Sequence, residues 1–116
     1  MGQDLDGLQG TWNIVSLEMD GQKVPGGGAR IVVRGDRFTT IAMGAIYEGT
    51  VAVDRSCTPM TMDYLLADGR TQAGIWALEG KRLTTCFGMP GAARPSEFAS
   101  IPGDGRTLTV WTPAGK

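Results

Sequence analysis

Glycine-bearing turn pairs punctuate this 116-residue chain from end to end, and they limit its fold more than any other feature. Asp20-Gly21, Gly35-Asp36, Asp68-Gly69, Glu79-Gly80 and Gly103-Asp104-Gly105 each supply backbone that can enter the left-handed region a tight hairpin connection requires. Between them lie short β-rich runs at 11–19, 30–34, 37–43, 47–54, 60–66, 70–78, 81–88, 96–101 and 106–112. Strands this short, recurring at roughly 8 to 12 residues, predict an antiparallel sandwich or barrel of about eight strands. No window sustains a 3.6-residue apolar repeat, and the best helical candidate is the segment 4–9, where an Asp can cap one short turn that plugs one end of a barrel. The glycine- and proline-rich loops at 24–29 and 88–95 read as mobile rims rather than linkers, which makes 1–116 a single domain.

Composition removes several function classes. With 41% hydrophobic and 20% charged residues the chain can build its own core. Its net charge is -1 and its 11 basic residues are scattered, so it has no electrostatic footprint for nucleic acid. The longest nearly apolar stretch, 39–47, is about half of what a membrane helix needs, and no signal-peptide pattern opens the chain. A soluble domain is expected, cytoplasmic or exported with its signal removed. Histidine is absent, which excludes Ser-His and Cys-His catalysis and His-based zinc sites, and no metal or cofactor is expected.

The triplet Gly10-Thr11-Trp12 on the first strand resembles the Gly-x-Trp signature of lipocalins, whose tryptophan closes the base of the barrel. A longer pattern runs through Leu8-Gln9-Gly10-Thr11-Trp12, Val15-Ser16, Asp20-Gly21, Pro25, Gly74-Ile75-Trp76, Gly80, Leu83, Cys86, Arg94-Pro95, Phe98 and Ser100. From about Leu8 to Val110 the chain resembles a small lipocalin-like domain family abundant in planctomycete bacteria. Met60 and Met62 depart from that pattern, where a polar residue and an isoleucine are expected. The resemblance implies an up-and-down, calycin-like barrel and carries no activity with it.

Two-residue turns at Asp68-Gly69 and Glu79-Gly80 would set Ala67 opposite Arg70 and Leu78 opposite Lys81. One face then holds Met60, Met62, Tyr64, Thr71, Ala73, Ile75, Ala77, Thr84 and Cys86. The other holds Thr61, Asp63, Leu65, Gln72, Gly74, Trp76, Leu78, Leu83, Thr85 and Phe87. Burial of the larger side chains favours the second as the interior, at about 1.5 to 3 kcal/mol for each of Trp76, Leu78, Leu83 and Phe87. The same alternation turns Trp12, Ile14, Tyr47, Val51, Val53, Phe98, Leu108 and Val110 inward.

On this reading Trp12, Tyr47, Asp63, Trp76, Phe87, Arg94 and Phe98 are the candidate ligand-binding residues. The leading function is a barrel that binds a small apolar or amphipathic molecule. A second reading is a metal-free enzyme that uses Asp63, Tyr47, Tyr64 or Arg94 for acid/base or electrostatic work. A third is a structural or interaction module with a filled core. Each candidate has a structural alternative: Asp63 at an open rim or on backbone donors, and Arg94 stacked over Trp12 at the barrel base. Cys86 has no histidine to activate it and reads as a small buried apolar residue, and Cys57 and Cys86 are both expected as free thiols.

Overall fold

The computed structural model describes residues 7–25, 27–42, 45–56, 59–89, 91–100 and 105–114. Among the described residues nine strands run in chain order: β1 (Gly10–Met19), β2 (Gln22–Val24), β3 (Arg30–Arg34), β4 (Arg37–Ala42), β5 (Ala45–Asp54), β6 (Met60–Leu66), β7 (Thr71–Glu79), β8 (Arg82–Phe87) and β9 (Thr107–Pro113). Neighbours pair antiparallel, and β9 returns to β1 from Trp12↔Pro113 to Met19↔Thr107, which closes the sheet. β2 and β3 pair with the same side of β1, at Leu17 to Met19 and at Gly10 to Asn13, so they act as one wall strand interrupted by a loop. The result is the expected up-and-down barrel of eight strands, β1 and β3 to β9, with β2 added. No helix among the described residues is long and apolar enough to cross a membrane.

Of the expected N-terminal helical turn, the described residues show 3₁₀ backbone at Gly7 and Leu8, and residues 4–6 of the span lie outside the described residues. The strand expected at 96–101 does not form. Residues 96–100 are irregular, and residue 101 lies outside the described set. β2 is the strand that the sequence reading missed.

Turn chemistry sets the registers. Asp20 and Gly21, at φ +54° and +82°, make the two-residue turn that joins Met19 to Gln22. At the β6–β7 hairpin the loop has three residues, not two. Gly69 N–H donates to Leu66 O at 2.9 Å, Gly69 sits at φ +93°, and Leu66 N–H donates to Arg70 O at 2.8 Å, the pattern of a type I turn followed by a left-handed glycine. Asp63 therefore pairs with Ala73 rather than Gly74, and that one-residue slip turns the whole of β6 over. At β7–β8 the turn residues are Gly80-Lys81, which pairs Leu78 with Leu83, a slip of two that leaves the faces as expected.

The core follows from these registers. Met62 joins Leu8, Trp12, Ile31, Val33, Phe38, Val51, Trp76, Leu83, Phe87 and Trp111 inside, with Met60, Tyr64 and Leu66 packed against them. The inward set on β6 is thus Met60, Met62, Tyr64 and Leu66, while Thr61, Asp63 and Leu65 face out; this corrects the sequence assignment. A bulge at Val15 on β1 changes phase, so Trp12 and Ile14 point in before it and Leu17 and Met19 after it.

Gly74, opposite Phe87, is inside this wall because nothing larger fits: a Cβ there would sit 2.5 Å from the Phe87 ring. Gly74→Ala is expected to lower folding stability by about 1 to 3 kcal/mol through overpacking. Adding Phe87→Leu is expected to recover part of that loss. Urea melts of both single variants and the double variant check this, and strictly additive losses would contradict the packing described.

Candidate functional site

Three rings divide the barrel interior. Phe38 of β4, Tyr64 of β6 and Phe87 of β8 stack in a row, with centroids 4.2 and 4.4 Å apart and planes within 22° and 14°. Below the row the interior is packed, and only about 10 Å³ is left between Leu8, Ile31, Val33, Val51, Met62 and Leu83. Above it opens a cup of about 370 Å³, within the range of small-molecule sites. Phe38, Tyr64, Thr85 and Trp111 border both spaces and so form the partition.

The wall of the cup is mostly apolar: Ile14, Leu17, Met19, Ala29, Ala42, Leu66, Phe87 and Trp111. Polar groups come from Thr40, Tyr47, Tyr64, Gln72, Thr85, Thr107 and Thr109, and Arg70 is the only charged side chain among the described lining residues. Several of these are already engaged. Trp111 Nε1 donates to Thr85 Oγ1 at 3.3 Å, and Gln72 Nε2 donates to Gly88 O at 2.9 Å. Arg70 Nε donates to Asp68 Oδ2 at 2.8 Å at the solvent-exposed rim. The Asp68 carboxyl is held below its ordinary range chiefly by the Arg70 backbone N–H, with the guanidinium adding to it.

Tyr64 differs from its neighbours. Its ring lies between two others, and desolvation by burial pushes its hydroxyl well above the ordinary tyrosine range. No hydrogen bond to that hydroxyl is present among the described residues, yet no sealed side-chain oxygen lacks a partner either. The hydroxyl therefore keeps accessible surface, and on a partly buried side chain that points inward and lines the cup that surface belongs to the barrel interior.

The expected site residues separate into four places. Phe87 and Tyr64 line the cup, and Tyr47 lines its rim, where it is 52% exposed. Trp12 and Trp76 are in the closed base below the partition, donating to Leu8 O at 3.0 Å and to Thr61 O at 3.1 Å. The cation at the base is Arg55, 5.1 Å above the Trp76 ring; Arg94 does not stack on Trp12. Phe98, Asp63 and Arg94 are outside the barrel. Leu108 and Val110 also face outward, and Thr107, Thr109 and Trp111 take the inward positions of β9.

The outer wall explains the last group. Ile75 and Cys86 point away from the cup yet are 1% and 0% exposed, because residues 91–100 cross over them. Pro95 is fully buried in that segment, and Cys86, which is not in a disulfide, donates its Sγ–H to Ala99 O at 3.5 Å. Cys57 lies outside the described residues. Arg94 fastens the segment: its Nη1 donates to Gly74 O at 2.9 Å, and its Nη2 is 2.9 Å from Asp63 Oδ1. Asp63 and Arg94 are thus ion-pair partners on the outer wall, with side chains 48% and 36% exposed. Among the described residues no group of three metal-ligating acidic or thiol side chains comes together. Sequence reasoning missed Thr40, Thr109 and Trp111; on β9 the signal was the alternate phase 107-109-111, hidden by the more apolar Leu108 and Val110.

Comparison of the chain with known protein families, with curated proteins and with solved structures finds no match.

Two predictions follow from the geometry. A double-mutant cycle on Asp63→Asn and Arg94→Ala is expected to give a coupling of about 0.5 to 1 kcal/mol that shrinks with added salt, because the pair is half open to water. A coupling of 3 kcal/mol or more would mean a buried pair instead. Tyr64 gives a pH signature: the folded chain holds this phenolic proton above the unfolded value of 10.0. Its contribution is complete below pH 10 and is lost as pH rises beyond it, with a slope of up to about 1.4 kcal/mol per pH unit. Urea melts from pH 9 to 11 should show that loss in the native chain and its absence in Tyr64→Phe.

Proposed function

We propose that this barrel is a binding protein for a small, largely apolar molecule held in the cup. The observation that carries the reading is the 370 Å³ cup above a packed base: the chain fills one half of its barrel and leaves the other half open. The lipocalin-like sequence pattern supports it, as does the apolar character of the rim. Met19, Tyr47 and Met89 are exposed at the ends of the strands that surround the mouth. An apolar molecule approaching that mouth meets apolar surface before it reaches the cup.

The enzyme reading loses its acid/base pair to the outer wall, where Asp63 and Arg94 hold residues 91–100. Tyr64 at the floor and Tyr47 at the rim remain, with no carboxylate among the described lining residues to work with them. Binding is the function the cup supports best.

Titration with the fluorescent apolar probe N-phenyl-1-naphthylamine tests the proposal. Burying roughly 400 Å² of ligand surface at about 25 cal/mol per Å², less the association cost, gives a Kd on the order of tens of micromolar at one site per chain. Thr40→Trp, which places an indole in the cup, is expected to abolish the signal, whereas Lys81→Gln in the exposed β7–β8 turn should leave it unchanged. A folded native chain that shows no saturable binding would overturn the reading.

A further inference from the structure

Among the described lining residues the cup has no charged group at its depth; it has several hydroxyl donors without acceptors, and that of Tyr64 is the one carried on a ring fixed in the floor. Of its polar side chains, Gln72 donates to Gly88 O, Thr85 Oγ1 accepts from Trp111, Arg70 is paired with Asp68 out at the rim, and Thr40, Thr107 and Thr109 add wall hydroxyls that no ring stack fixes. Tyr64 has no such partner among the described residues, and its hydroxyl keeps surface toward the interior. Stacking against Phe38 and Phe87 fixes the ring, so the donor is held in place before any ligand arrives. The geometry points to a ligand that is uncharged and carries a hydrogen-bond-accepting oxygen, a ketone, ester or ether on an apolar body, which receives the Tyr64 hydroxyl at the floor of the cup.

This inference rests on the binding reading above and narrows it. A carboxylate would also accept the hydroxyl proton, but an anion at that depth would give up its hydration without meeting a cation. The environment that keeps the Tyr64 phenol protonated is equally unfavourable to any other anion beside it. A plain hydrocarbon would fill the volume and leave the phenol hydroxyl buried without an acceptor. A neutral oxygen satisfies both conditions. Thr40 and Thr109 place further hydroxyls in the same wall, and neither adds charge.

Three naphthalenes of nearly equal size separate the cases: 2-acetylnaphthalene, its hydrocarbon isostere 2-isopropenylnaphthalene, and 2-naphthoate. Calorimetric titration of the native chain at pH 7 is expected to rank the ketone first, about tenfold tighter than the hydrocarbon, which is the effect of one satisfied buried hydrogen bond. The naphthoate is expected to be weaker than the ketone by tenfold or more. Tyr64→Phe keeps the stacked ring and should bring the ketone down to the hydrocarbon's affinity without weakening the hydrocarbon. Equal binding of ketone and hydrocarbon, tightest binding of the naphthoate, or a parallel loss of both neutral ligands in Tyr64→Phe would overturn the inference and leave the cup a general apolar site. Failure of all three to bind would overturn the binding reading along with it.

Discussion

The stack of Phe38, Tyr64 and Phe87 is made by strands that do not pair with one another, and the strands between them have to give way for the rings to meet. β5 pairs Gly49 with Phe38, and β7 pairs Gly74 with Phe87. At Gly49 a Cβ would collide with the Leu65 backbone, and at Gly74 it would collide with the Phe87 ring. Alternate strands thus supply aromatic rings while the intervening strands supply glycines that let the sheet curl tightly beneath them. Each stacked pair contributes about 0.5 to 1.5 kcal/mol beyond the area it buries. The larger consequence is geometric. A partition fixed at mid-height lets the lower half pack tightly around Leu8 and the two tryptophans while the upper half stays open.

The turn signals made the strand order and the closed barrel legible, because each hairpin in an up-and-down topology is a local event. Which face of a strand points inward depended on counting turn residues, and there the two hairpins behaved differently. Reading Glu79-Gly80 for Gly80-Lys81 moved the register by two, so Trp76, Leu83 and Phe87 were still assigned to the interior. Reading Asp68-Gly69 as the whole loop moved it by one, which exchanged Met62 and Tyr64 for Asp63 and Leu65. Met60 and Met62 had been set apart as departures from the family pattern. In the barrel they are inward-facing residues, and a hydrophobic residue at every second position of β6 was the evidence against the two-residue turn.

Hydrophobic alternation misleads where both faces of a strand are covered. On β8 and β9 the inner face meets the cup, and the outer face lies beneath residues 91–100, so Cys86 and Leu108, paired with each other, look like core from sequence alone. The irregular segment replaces the ninth strand that the sequence suggested. Pro95 cannot donate to a ladder, and the segment is held instead by point contacts: Arg94 to Gly74 and Asp63, Cys86 to Ala99, and Ser100 to Gly21 and Arg106. Its residues were credited to the site because Arg94 and Phe98 are the types that recognise ligands. Their chemistry is spent on fastening chain to wall.

That fastening still bears on the cup, because both meet at β7. Gly74 receives the Phe87 ring on its inner side while its carbonyl accepts the Arg94 guanidinium, and two residues earlier Gln72 reaches from the cup wall to the carbonyl of Gly88, where the chain leaves β8. Gly91 N–H donates to Thr71 O at 3.0 Å, so the start of the outer segment is tied to the start of β7 as well. The strand that must come closest to the aromatic row is therefore held from outside at Thr71, Gly74 and, through the neighbouring strand, Asp63. A glycine in mid-strand gives up side-chain packing and is conformationally loose. The Arg94 contact to the Gly74 carbonyl offsets that looseness where the Phe87 ring presses on the strand, so the outer segment positions the partition while the groups facing the cup are left to its interior.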